Sequence, residues 1–235
     1  MNKKHRHLGL LLGLLLSSIF VFSACLKDES TILLPDGDST IVLPFNTGKI
    51  PYDVIPQNLQ DSLVIYGFDI FEGTCPPNIN GEYLISPMEL SHASDNYLND
   101  FVNLRMAFKC QHPRGRIHYY ESQTGTIDDS ASGTSIHASV IGHDSCFTMY
   151  AIQNVIDTSS NGLVNYRCKT ATIVSGTMID TGIYNCKYST ILLEKWARTE
   201  YYANRLPELH TFRIWFDGDT LAVKTSKTLH KPSRK

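Results

Sequence analysis

Along most of the chain, apolar and polar residues alternate with a period of two. The clearest run sets Val102, Leu104, Met106, Phe108 and Cys110 against Asn103, Arg105, Ala107 and Lys109. Successive side chains of a strand point to opposite faces, so this run predicts a strand with one buried face. Similar patterns predict strands at 79–85, 116–122, 135–141, 147–152, 163–174, 183–193, 211–216 and 220–224. Ser159-Ser160-Asn161-Gly162 is a strong turn ahead of the 163–174 strand. The 183–193 strand is expected to pair with 166–174 across the stretch from Ser175-Gly176 to Thr181-Gly182. Asp217-Gly218-Asp219 reads as a tight hairpin between the last two strands. No long helical period intervenes, which argues against βαβ crossovers. The expected fold class is therefore mainly β, an antiparallel up-and-down β-barrel or a β-sandwich.

Two short stretches depart from the strand pattern. After Ile55, Pro56 suits a first helical turn, Leu59 and Leu63 lie one turn apart, and Gly67 offers a stop. A short N-terminal helix is predicted there, and one of this length must dock on something to persist. Residues 201–208 read as a short helix or loop. Upstream, 26–54 is broken by Pro35-Asp36-Gly37-Asp38, Pro44 and Asn46-Thr47-Gly48, with TILLP at 31–35 echoed by TIVLP at 40–44. This segment reads as a flexible tether.

The N-terminus carries Lys3, Lys4 and Arg6 ahead of an apolar run over 8–22. That run is short for a transmembrane helix and fits a secretory signal peptide. Phe22-Ser23-Ala24-Cys25 resembles a bacterial lipobox, with Phe22 where Leu is usual. The resemblance implies cleavage after residue 24, a diacylglyceryl thioether on Cys25 and acylation of the new N-terminus by a fatty acid such as palmitate. More than one acyl chain is what stable anchoring requires. Lys27, Asp28 and Glu29 follow, and resemble the export signal of Bacteroidota-type surface lipoproteins, which implies transfer to the outer face of the outer membrane. The organisation expected is a signal peptide at 1–24, a lipidated tether at 25–54, a β domain at 55–225 and a basic tail at 226–235.

Within the β domain, the short helix, Pro76-Pro77 and Gly81-Glu82-Tyr83 together resemble lipocalin-like domains, as does the stretch 171–195 with its Ser175-Gly176 and Gly182-Ile183. Tyr83 stands where that family has Trp. The resemblance implies a helix closing one barrel end and room inside for one small ligand; a filled barrel or sandwich is the alternative.

Composition narrows the function classes. With 42% hydrophobic and 19% charged residues the chain can build a core. Its net charge is −2, and removing residues 1–24 leaves 18 cations against 23 acids, a net of −5. There is no basic excess for nucleic acid. Charge as a whole gives no pull toward an anionic membrane, so the lipid is expected to hold the protein there.

Five cysteines remain besides Cys25: Cys75, Cys110, Cys146, Cys168 and Cys186. An exported protein can form disulfides, and an odd count leaves one thiol over. Cys168 and Cys186 sit at mirrored distances from a turn near Thr177 and are a possible disulfide. Cys75 with Cys110 is another, and burial as reduced thiols is the alternative.

Candidate chemistry is sparse. Cys110, His112 and His118 are the nearest approach to a metal cluster, and His137, His143, Asp144 and Ser145 supply acid–base types. No Gly-x-Ser-x-Gly, His-Glu-x-x-His, P-loop or Gly-x-Gly-x-x-Gly frames them. No cofactor, metal or catalytic residue is therefore assigned. Tyr119-Tyr120 and Tyr201-Tyr202 offer stacking faces. Asp61-Ser62-Leu63, Asp129-Ser130-Ala131 and Asp219-Thr220-Leu221 resemble O-glycan acceptors of exported Bacteroidota-type proteins. The leading expectation is a lipid-anchored, non-catalytic binding module for a small apolar molecule, a glycan or a peptide. The rival is an accessory subunit of a surface complex. A hydrolase would require titratable groups to converge in a cleft. Oligomeric state is not readable from the sequence.

Overall fold

The computed structural model describes residues 46–97, 103–123, 132–159 and 162–225. Among the described residues two short helices, α1 (Gln57–Ile65) and α2 (Glu200–Ala203), accompany ten strands. The strands are β1 (Gly81–Ile85), β2 (Met88–Ala93), β3 (Leu104–Lys109), β4 (Arg116–Gln123), β5 (Ser132–His143), β6 (Cys146–Thr158), β7 (Val164–Ile179), β8 (Gly182–Ala197), β9 (Phe212–Asp217) and β10 (Leu221–Lys224).

Every strand pairing is antiparallel, in the order β10-β1-β3-β4-β5-β6-β7-β8, and β10 pairs back onto β8. This ring is a closed eight-stranded barrel, which removes free sheet edges from the wall. The remaining strands, β2 and β9, extend the wall rather than form a second sheet. β9 lies on β8 along Lys187–Ile191 and β10 on β8 along Gly182–Tyr184. Both are antiparallel to β8, so they run in the same direction. Asp217-Gly218-Asp219 is therefore a break within one bent wall strand, not a hairpin. β1 and β2 form the matching bent strand, pairing with β10 and β9 in turn.

The alternation places Tyr83, Met106, Phe108, Ile117, Tyr119, Val140, Phe147, Met149, Val174, Ile183, Tyr188 and Trp215 in one buried cluster. These side chains fill the barrel from one end to its middle. Short turns at Cys110–Gly115, Asp144-Ser145 and Asp180-Thr181 mark this end, the base. Ile79, wholly buried, caps it: its N–H donates to Gln111 Oε1, and the Tyr83 hydroxyl donates to its carbonyl. Longer connections, after β2, β4, β6 and β8, gather at the opposite end, the mouth.

The outward positions Thr148, Tyr150, Ala171, Ile173, Ser189 and Ile191 are also buried. The segment carrying α1 covers them. Phe71 N–H donates to Thr148 Oγ1, and Lys187 Nζ donates to the Gly67 carbonyl and to Asp69, each at 2.6 Å. On α1 itself Leu59 and Leu63 are buried. The helix thus lies along the outer wall, where the lipocalin-like resemblance placed it across a barrel end. The folded unit also begins earlier than the tether reading allowed. Ile50 and Val54 are buried, and Asn46 donates through its amide to the Val140 carbonyl. The expected signal peptide at 1–24, the candidate lipidation and export residues Cys25, Lys27, Asp28 and Glu29, and the expected tail at 226–235 lie outside the described residues.

Candidate functional site

The site is built where the apolar filling stops. Above it, inward positions turn polar. Glu121 on β4 accepts hydrogen bonds from Tyr119 OH (2.7 Å), Tyr188 OH (3.0 Å) and Gln153 Nε2 (3.0 Å). Gln153 also reaches Thr172 Oγ1. Burial, with Glu121 close by, pushes both tyrosine hydroxyls well above their ordinary pKa. They remain neutral donors, and the carboxylate stays satisfied inside the barrel.

One step further toward the mouth lies a pocket of about 220 Å³. Val155, Cys168, Thr170, Thr190, Leu192 and Arg213 line it, with Leu206 and Pro207 from the β8–β9 connection as a roof. Arg213 shares the inward face of β9 with Trp215. Asp95 fixes its guanidinium through bonds from Nε (3.2 Å) and Nη2 (2.6 Å), and the ring of Tyr97 lies 3.8 Å from its centre. The bidentate contact holds the Asp95 carboxyl below its ordinary pKa. Lys195 pins the roof by donating to the Pro207 carbonyl and to Glu208. Burial raises the Cys168 thiol, and Lys195 partly offsets this.

The rim is rich in aromatic and arginine side chains. Tyr201 and Tyr202 on α2 meet edge to face at 5.1 Å, with Arg205 5.6 Å from the Tyr201 ring and Arg198 5.9 Å from that of Tyr202. Trp196, 51% exposed, stands in register with Arg167 and through it with Ile156. Trp, Tyr and Arg are the side chains most enriched where proteins bind partners. A second hollow of about 170 Å³ lies between Gly67, Ser91, Lys187, Ile214 and Phe216.

The structure separates the other sequence-level candidates. His112 Nδ1 accepts from the Arg114 N–H, and His143 pairs with Asp144 on the surface. Among the described residues no three His, Cys, Asp or Glu side chains gather as metal ligands. Tyr119 is core, whereas Lys109 lies 5.7 Å from the centre of the Tyr120 ring. The Cys168–Cys186 disulfide does not form. The β7–β8 turn is at Asp180-Thr181, so Cys168 faces Lys195 and Cys186 lies beside the bulge opposite Ser175 and Thr177. Both thiols are free and buried. Cys75 is a free, exposed thiol, so it is not joined to Cys110.

Sequence reasoning missed the Glu121 cluster and the Arg213–Asp95 pair. Alternation along β9 aligns Arg213 with Trp215 and could have marked it as inward. Its partner is 118 positions away, beyond any local pattern. Comparison with protein families, with curated proteins and with solved structures found no match.

Proposed function

We propose that this chain is a lipid-anchored surface lipoprotein whose barrel is a non-catalytic binding module, taking its ligand at the mouth. The anchoring rests on the lipobox at 22–25 and on Lys27, Asp28 and Glu29. The binding reading rests on one observation: the barrel is filled below and opens above into a pocket lined by a fixed arginine, hydroxyls and apolar walls. At about 220 Å³ the pocket is smaller than the roughly 300–1,000 Å³ typical of sites that enclose a small molecule. It suits one side chain or one sugar of a larger ligand, so a peptide or glycan is favoured over a buried apolar molecule. The aromatic and arginine rim would hold the rest. The filled interior equally supports the accessory-subunit reading, in which the same rim meets a protein partner.

Native mass spectrometry of the full chain from its own host tests the module. A bound adduct is expected, and it should disappear in Thr190→Trp, which fills the pocket. An adduct that survives the substitution refutes the site, and a bare mass with a protein captured at the rim selects the accessory subunit. Anchoring is tested separately. Cys25→Ala should release the protein from the membrane. Changing Lys27, Asp28 and Glu29 to Ala should leave it lipidated but shielded from protease added to intact cells; continued cleavage would refute surface export.

A further inference from the structure

The pocket at the mouth is bordered by hydroxyls that bond to nothing in the protein. Tyr166, Cys168 and Thr170 alternate along β7 on the face they share with Val155 and Gln153 of β6. Thr190 lies two positions beyond Tyr188 on the inward face of β8, and Thr211 completes the ring just ahead of β9. Among the described residues the side-chain hydroxyls of Tyr166, Thr170, Thr190 and Thr211 make no hydrogen bond. The rest of the lining, from Val155, Leu192, Leu206 and Pro207, is aliphatic.

Two charges stand at the lip. Arg205 immediately precedes the roof residues, donates to the Tyr201 hydroxyl at 3.3 Å and has no carboxylate partner among the described residues. Asp157 is in register with Tyr166 and accepts from Asn165 through one oxygen, Oδ2, at 2.8 Å. Burial, Asp157 and Cys168 raise the pKa of the Tyr166 hydroxyl and Arg205 opposes them, so both charges lie close to it.

The pocket thus offers a cation, an anion and four hydroxyls able both to donate and to accept, beside an aliphatic wall. In solution water satisfies these polar groups. A ligand gains by entering only if it replaces those bonds. An aliphatic or aromatic side chain of a peptide brings none of them, and a charged or amide side chain brings them at its tip alone. A pyranose ring carries a hydroxyl on nearly every carbon and an apolar C–H face, so it matches both parts of the lining. A peptide main chain has nowhere to pair, because β7 and β9 are each hydrogen-bonded to a strand on both sides.

We infer that the pocket is a subsite for one pyranose residue of a glycan, with Tyr166, Thr170, Thr190 and Thr211 meeting its hydroxyls and Leu206 and Pro207 its C–H face. Arg205 and Asp157 offset each other at the lip, so the sugar needs no charge of its own. The inference rests on the binding-module reading and narrows its ligand from peptide or glycan to glycan.

The test titrates the mature chain, residues 25–235 carrying Cys25→Ser, with the methyl glycosides of glucose, galactose, mannose, xylose, rhamnose and N-acetylglucosamine, followed by saturation-transfer NMR. Binding of at least one is expected, with the ring C–H protons saturated. Thr170→Val and Thr190→Val keep the shape of the side chain and remove its hydroxyl. Each should weaken that binding about fivefold while leaving urea stability unchanged, since neither hydroxyl bonds to the protein. Ser91→Ala, at the second hollow, should change nothing. Failure of every glycoside to bind, or binding that survives both valine variants, would overturn the inference. Native mass spectrometry separates this from failure of the module. An adduct abolished by Thr190→Trp that releases no sugar mass on dissociation keeps the module and refutes the sugar, whereas a bare mass together with no bound glycoside refutes both.

Discussion

Asp217 supplies the sharpest test of how the barrel is built. It closes β9, shares the inward face with Trp215, and is only 1% exposed. Neither carboxyl oxygen makes a hydrogen bond of good geometry. Burial, reinforced by the neighbouring Asp219, pushes its pKa from 3.8 up to about 7. Cys186 is the nearby thiol on β8, itself raised first by burial and then by Asp217. A raised acid holds its proton in the folded state and loses it readily in the unfolded state. Its contribution to stability is therefore complete below about pH 4 and is lost as pH rises through about 7. A shift of about three units corresponds to about 4 kcal/mol, at about 1.4 kcal/mol per unit. Asp217→Asn keeps the shape of the neutral acid and cannot ionise. Relative to wild type it should be nearly neutral at pH 4 and more stable by up to about 4 kcal/mol at pH 8. Urea unfolding followed by tryptophan fluorescence at pH 4, 6 and 8 measures this, since Trp215 sits two positions away. Other titrating groups cancel in the difference between the two proteins. A difference that stays flat with pH, or a variant less stable at pH 8, would show that the carboxylate is satisfied as an anion and refute the reasoning.

Three further outcomes follow from the packing. Phe147→Ala removes a wholly buried ring that lies 6.4 Å from Phe108, and should cost about 3–5 kcal/mol in the same urea assay; a loss under 1 kcal/mol would mean the interior is loosely filled. Glu121→Gln weakens the acceptor for the Tyr119 and Tyr188 hydroxyls and brings an amide donor against them, and should cost about 1–3 kcal/mol, with amide exchange rising in β4 and β8 and not in β1. Gly142→Ala forces a methyl against the Cys146 carbonyl oxygen at a backbone φ of 144°; the β5–β6 turn has no space for it, and the melting temperature should fall by several degrees, whereas Gly162→Ala, with open space around it, should cost less.

The period-two pattern determined a great deal. Each of the nine predicted strands overlaps an observed one; 116–122, 211–216 and 220–224 agree to within one residue at each end, whereas 147–152, 163–174 and 183–193 stop six, five and four residues short. That legibility has a simple cause. In a closed barrel one face of every strand is buried, so the pattern survives in each of them. Where a strand runs beyond the buried wall the signal fades: β6 continues past the predicted end at 152 to Thr158, and Asn154, Val155 and Ile156 in that extension are exposed, so no buried face marks it in the pattern. β2 was missed because Met88–Ala93 has only Met88 and Leu90 as large apolar residues; it exists because β1 continues past Pro87 onto β9.

The proposed secretory signal, lipobox and export residues rest on runs of consecutive residues, so that reading comes from the sequence alone. Barrel rather than sandwich was a tertiary decision, made by the closure of β10 onto both β1 and β8. So was the fate of the cysteines. Two bulges in the β7–β8 ladder and a turn three residues later than expected put Cys168 opposite Lys195. Register is set by turn geometry and by what fills the interior, neither of which is visible in a single strand. The mouth pocket is likewise tertiary. Asp95, Glu121, Gln153, Cys168 and Arg213 come from different strands or the loops between them, and each is ordinary in its own stretch of sequence. Only closing the ring, with the aromatic side chains taking the lower half, brings them together at its open end.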